Sequence, residues 1–147
     1  MDTRLILDEI KGKLPRGKVG KATLAELQSR LDSLTDSQRS EAFLRIQDAK
    51  LKTPIIVDVC NFFFGNFGVG RFMIGDIGLG IGRLIYSIIA VIFSIILEGE
   101  GEEAQMFGLM LVVFMWGWWL VDLVLVLKKV RMQNLRKVLL AIDSVKK

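Results

Sequence analysis

The sequence predicts an all-α integral membrane protein: an antiparallel transmembrane helical hairpin, preceded by a short interfacial or partly inserted helix and flanked by cytoplasmic helical tails. Three observations carry this expectation. Residues 77–97 contain Arg83 as their only charge, and residues 104–127 contain only Asp122. Each run supplies the roughly 20 helical residues needed to cross a hydrocarbon core of about 30 Å. The chain of 147 residues is 52% hydrophobic with a mean hydropathy of +0.44, too apolar for an ordinary water-soluble domain. Its charges gather outside the two runs, with 11 Lys/Arg against 8 Asp/Glu in residues 1–53 and 7 against 1 in residues 128–147.

The first element is a cytoplasmic helical region, residues 1–53. It begins MDTRLILDEI, a charged amphipathic stretch in which no cleavable signal is expected, because it lacks a continuous apolar core and a small-residue cleavage site. Thr23 and Glu26 have capping-box spacing and precede Leu24, Leu27, Leu31 and Leu34 on one helical face. Thr35 and Gln38 repeat the signal, opening a helix to about Lys52 that buries Phe43, Ile46 and Leu51, and Thr53-Pro54 closes it. So small a hairpin needs something to dock on. The C-terminal stretch 128–147, read as a separate basic amphipathic helix, offers a stripe of Leu135, Val138, Leu139, Ile142 and Val145.

The membrane part, 54–127, opens with segment A, Pro54–Phe64, which reaches only about 16 Å as a helix and does not cross alone. A Gly-rich stretch, 65–82, follows, then helix B (77–97), an acidic turn (98–103, EGEGEE) and helix C (104–127). Lys and Arg collect on cytoplasmic flanks. Both tails are therefore expected inside and the acidic turn outside, in a bacterial inner membrane or a plasma membrane. The spacing of the glycines matches no nucleotide-binding loop; it predicts a tight non-helical turn after segment A, then close packing through Gly78 and Gly82, which have GxxxG spacing.

Helix B carries a stripe of Arg83, Ser87, Ala90 and Ser94, and helix C one of Leu111, Met115, Trp118 and Asp122. An antiparallel register pairs Arg83 with Asp122, Ser87 with Trp118, Ala90 with Met115 and Ser94 with Leu111. An acid within a membrane helix is costly and calls for a partner.

The run FFFGNFGVGRFMIGDIGLGI, followed after an apolar stretch by WGWWLVDLVLV, resembles the TM-two domain family of two-helix membrane modules over about residues 54–127. The resemblance places Gly65, Gly68, Arg71, Phe72 and Gly75 on a first motif element, and Trp119 and Asp122 on a second. Gly70 stands where the family usually has His or Asp, so no role passes from that position. Two arginines then compete for Asp122: Arg71, the motif residue and the favoured partner, or Arg83, which could instead snorkel to headgroups. The family brings no settled activity.

Enzyme chemistry is not expected. The chain has no His and one Cys; that residue, Cys60, reads as an apolar residue of segment A, and no acid pair stands at catalytic spacing. Cofactor and metal sites are expected to be absent. Basic tails beside a membrane helix suit anionic lipid headgroups better than nucleic acid, for which no fold signature is present. The expected function is a non-enzymatic membrane anchor, scaffold or protein-interaction module, with a protein partner or a homo-oligomer. The alternative is a subunit of a homo-oligomeric pore or a transporter accessory.

Overall fold

The computed structural model describes residues 2–146, and every regular element among them is helical. The helices are α1 (Thr3–Ile10), α2 (Gly17–Asp32), α3 (Asp36–Asp48), α4 (Pro54–Phe64), α5 (Val69–Met73), α6 (Ile77–Leu97) and α7 (Glu102–Ser144), with 3-10 turns at Lys11–Lys13 and Gly65–Phe67. They form two compact units, one of residues 1–54 with 128–147 and one of residues 55–127. The long α7 supplies side chains to both.

The first unit is built around an aliphatic core. Ile6, Leu14, Leu27, Leu31, Ala42, Ile46, Val138 and Ile142 are buried together, with Leu24, Phe43, Leu51, Leu135 and Leu139 packed at the margin. The C-terminal stripe thus completes the core that the N-terminal helices could not close alone. Two polar side chains on α7 tie loops to it. The Asn134 carboxamide donates to the carbonyls of Lys13 (2.9 Å) and Lys52 (2.7 Å) and accepts from the Lys52 amide (3.0 Å). Lys137 Nζ donates to the Ala49 carbonyl at 2.7 Å, neutralising the exposed C-terminal end of α3. The Thr35–Gln38 capping box is formed at the start of α3.

Three boundaries differ from those the sequence suggested. Helix α2 begins at Gly17, so Thr23 and Glu26 lie inside it and cap nothing. The turn that matters comes earlier: Pro15 reverses the chain, Gly17 takes φ +75°, and buried Gly20 lets the helix lie against the Pro15 carbonyl. The 128–147 stretch is not a separate helix but the continuation of α7. Residues 118–144 contain neither Gly nor Pro, so the change from apolar to basic at Lys128 alters the surroundings of the helix without interrupting its hydrogen bonds. Its first turn includes Glu102 and Glu103, where carboxylates favour the positive end of the helix dipole, and this shortens the acidic turn to residues 98–101.

In the second unit α6 and α7 are antiparallel. Arg83 meets Asp122, Tyr86 donates to the Leu111 carbonyl (3.1 Å), and Ser94 donates to the Gly108 carbonyl (3.4 Å). The last contact involves Gly108, a residue the expected Ser94–Leu111 register did not include. Gly108 is buried, and a Cβ placed on it would lie 3.5 Å from the Ser94 Cα, so the missing side chain draws the backbones together three residues earlier on α7.

Helix α4 and the turn after it are tied to this pair by two hydrogen bonds. The Ser87 hydroxyl, at the middle of α6, donates to the Asn66 carbonyl, and Trp119 Nε1 donates to the Asn61 carbonyl at 3.2 Å. The turn at residues 65–67 is therefore level with the centre of α6, and α5 brings the chain back toward the α6 N-terminus.

The Gly-rich stretch is mostly helical, and where a tight non-helical turn was expected after segment A there is a 3-10 turn, Gly65–Phe67. Gly68, at φ +76°, joins the 3-10 turn to α5, and a Cβ there would come 2.5 Å from the Gly80 carbonyl oxygen. Gly80 in turn receives the Phe72 ring, a Cβ at that site falling 2.7 Å from it. Gly78 and Gly82, the GxxxG pair, face open space. The backbone contact uses Gly80 because it shares the inward face of α6 with Arg83, Ser87 and Ala90.

Candidate functional site

The most concentrated chemistry in the second unit is a buried carboxylate shared by two guanidinium groups. Asp122 is fully buried on α7 and Arg83 is 3% exposed on α6. Arg71 reaches Asp122 from α5: its Nε donates to Oδ1 at 2.8 Å and its Nη2 donates to the same oxygen. A third donor, Arg71 Nη1, holds Asp76 Oδ2 at 3.1 Å. Arg83 Nη1 lies 3.1 Å from the other oxygen of Asp122 as an ion pair, with the guanidinium 5.7 Å from the centre of the Trp118 ring.

Local structure places each member. Gly75, at φ +84°, ends α5 one turn beyond Arg71 and sends Asp76 back toward it. Arg83 and Asp122 face one another because both occupy the contact line of the α6–α7 pair. The choice between Arg71 and Arg83 therefore resolves into both. Arg83 does not snorkel: extension to the helix end would leave Asp122 with one cation and remove the Trp118 contact. Two cations and two carboxylates sum to zero, the condition under which buried charge is tolerated.

The other motif residues surround this cluster. A Cβ on Gly65 would fall 2.8 Å from the Trp119 indole, so this glycine is the seat of that ring. Trp119 also packs at 5.3 Å against both Phe62, tilted, and Trp116, edge to face. Phe72 covers Gly80. Ser87 and Ala90 are buried, and Leu111 and Met115 are half-buried on α7. Trp118 lies at the edge, 38% exposed, against Tyr86 and Phe114.

Four contributors were not singled out from the sequence. Asp76 is the second carboxylate on Arg71, five residues along the chain. Gly80 and Tyr86 set the α5–α6 and α6–α7 contacts. Asn61 is fully buried on α4, its carboxamide against Gly70 with neither polar atom hydrogen-bonded. One signal was available: Val57, Asn61 and Gly65 fall on a single inward line of α4 and the turn after it.

Chemically the arrangement is a lock. Both Asp122 oxygens face cations, which joins α5, α6 and α7 through one side chain. Comparison with known protein families, curated proteins and solved structures finds no match.

Proposed function

We propose that the chain is a non-enzymatic, two-span membrane module of the TM-two type. In this reading α6 and the apolar part of α7 cross the bilayer, α4 with α5 forms a re-entrant element, and both termini face the cytoplasm. Its task is to anchor or scaffold, presenting the helical unit of residues 1–54 and 128–147 to a protein partner or to another copy of the chain.

One observation carries the reading: residues 55–127 are arranged with polar groups inward and apolar groups outward. Asn61, Arg83, Ser87 and Asp122 are buried, while Ile85, Ile88, Ile92, Phe93, Met110, Val113, Phe114 and Leu120 are among the many exposed apolar side chains. In water such a surface would far exceed what monomeric domains tolerate. Two helices, Ile77–Leu97 and Glu102–Ser144, are long and apolar enough to cross a membrane. The outward face of α4 and the turn after it, with Ile55, Ile56, Val59, Phe62, Phe63 and Phe67, is equally suited to lipid. Lys128 and Lys129 follow the apolar part of α7 directly, at the position where cations meet anionic headgroups. The family assignment rests on the Gly65–Gly75 and Trp119–Asp122 elements.

Cysteine labelling tests the topology. In a Cys60→Ser background, Gly101→Cys should react with an impermeant maleimide added outside sealed cells. Labelling only after the cytoplasmic face is opened would overturn the proposed orientation.

A further inference from the structure

The first unit is polarised along its length, and two contacts with α7 fix its ends. The Asn134 carboxamide holds the Lys13 carbonyl at 2.9 Å, and Arg30 on α2 pairs with Asp143, near the end of α7, at 3.0 Å. Helix α2 therefore runs parallel to α7. Gly17 lies about 20 Å before Arg30 along α2, and the same length measured back along α7 from Asp143 ends close to Val130, within a turn of Lys128. Helix α1 runs the other way, because Thr3 bonds Asp32 at the far end of α2. The turn that follows α1, Lys11–Lys13, thus also stands at the Lys128 end.

Charge divides along this axis. Toward the far end the arginines are neutralised: Arg30 by Glu26 and Asp143, Arg39 by Asp36, and Arg45 by Glu41. At the Lys128 end residues 11–21, KGKLPRGKVGK, carry Lys11, Lys13, Arg16, Lys18 and Lys21 and no acid. Lys11 pairs with Asp8. Among the described residues the side chains of Lys13, Arg16, Lys18 and Lys21 have no ion pair or hydrogen bond, and the last three are exposed. Helix α2 adds charge of the same sign, since it begins without a side-chain cap and with no acid in its first turn. Val19 stands amid these cations, 63% exposed.

Unpaired cations around an apolar tip match the composition of a surface that meets anionic headgroups. On the membrane reading, Lys128 marks the bilayer surface, so the patch lies where headgroup charge is strongest, before screening removes it over about 8 Å.

We propose that residues 11–21 dock the first unit on the anionic bilayer surface beside α7, with Lys13, Arg16, Lys18 and Lys21 on headgroup phosphates and Val19 dipping between them. The inference rests on the membrane reading above and adds a second contact to that of Lys128 and Lys129.

Proximity quenching in lipid discs tests it. The full chain, in a Cys60→Ser background with an NBD fluorophore on Val19→Cys in place of the apolar tip, enters phosphatidylcholine discs that contain a headgroup-nitroxide lipid. Adding phosphatidylglycerol should increase quenching at position 19, and raising the salt should reverse it. A reporter on Leu44→Cys, next to the Arg45 that reaches Ser144, should not respond. Lys18→Gln should lower the docked-to-free ratio about fivefold, and Lys21→Gln added to it should lower the ratio about fivefold again. Helical content should stay at the wild-type level, both sites being exposed.

Equal quenching with and without phosphatidylglycerol, or a response that survives the double substitution unchanged, would overturn the proposal. A stronger response to an RNA oligonucleotide than to phosphatidylglycerol would overturn it in favour of a soluble polyanion. Any of these with Gly101→Cys still labelled from outside cells would leave the membrane reading standing, whereas a chain that does not enter the discs would remove both.

Discussion

The two units of this chain solve the problem of an interior in opposite ways. In residues 1–54 and 128–147 the centre is Ile6, Leu14, Leu27, Leu31, Val138 and Ile142, and the buried polar groups Thr3 and Asn134 are hydrogen-bonded. In residues 55–127 the centre is Arg83, Asp122, Ser87 and Asn61, and the aliphatic and aromatic side chains are outside. Apart from Leu5, Val19, Leu44, Met132 and Leu140, every exposed large apolar side chain among the described residues belongs to the second unit. The first unit is held by withdrawal of aliphatic surface from water. The second, on the membrane reading proposed above, would have no such force to use in lipid and would rely on glycine-permitted contact, hydrogen bonds and charge pairing. Substitutions of equal size should therefore act differently in the two.

The largest effect is expected from Asp122→Asn. Removing that charge leaves Arg83 buried without a carboxylate and leaves Arg71 with Asp76 alone, a situation that costs about 3–5 kcal/mol in protein interiors. Thermal melting in detergent should fall well below wild type. Arg71→Ala and Arg83→Ala should each fall as well, because the structure gives both a share of Asp122. Wild-type melting of Asp122→Asn would refute the idea that charge pairing holds this unit together.

Leu31→Ala makes the corresponding break in the first unit. Leu31 is fully buried beside Leu27 and Ile142, and deleting its isobutyl group should cost about 2–5 kcal/mol, depending on how far the core collapses. Hydrogen exchange should quicken in α2 and α3 and stay unchanged in α6. Equal loss of protection in α6 would mean that the two interiors open as one, and the contrast drawn between them would fail.

Much of this contrast was legible in the sequence, for reasons that can be stated. The line of Arg83, Ser87, Ala90 and Ser94 stands out because polar and small residues in a lipid-length run have few reasons to recur at helical spacing. Leu27, Leu31, Val138 and Ile142 show the ordinary periodicity of a core. What stayed hidden depends on through-space detail. Gly78, Gly80 and Gly82 look alike in sequence, and only the approach of Gly68 and Phe72 selects Gly80 as the contact. Asn61 is a single amide among apolar neighbours, given meaning by the bare backbone of Gly70 opposite. The continuity of α7 was masked because the composition changes at Lys128 while the backbone does not. Arg71 and Arg83 stood as alternatives because spacing alone cannot show that one carboxylate has room for two cations.

The smallest test asks whether the same kind of bond counts differently in the two surroundings. In the first unit Thr3 Oγ1 donates to Asp32 Oδ1 at 2.7 Å; in the second the Ser87 hydroxyl donates to the Asn66 carbonyl at the turn after α4. Thr3→Val should cost roughly 1 kcal/mol, since water can replace the lost donor at the partly exposed carboxylate. Ser87→Ala should cost about 0.6–1.7 kcal/mol, and its signature should be local. The bond it removes ties the turn after α4 to α6, so exchange should quicken at residues 65–68 ahead of any change in α7. Should Ser87→Ala leave exchange at that turn unaltered, Gly68, Gly80 and the Trp119–Asn61 bond would suffice to hold the turn at this depth. The inward polarity of the second unit would then reduce to the cluster around Asp122.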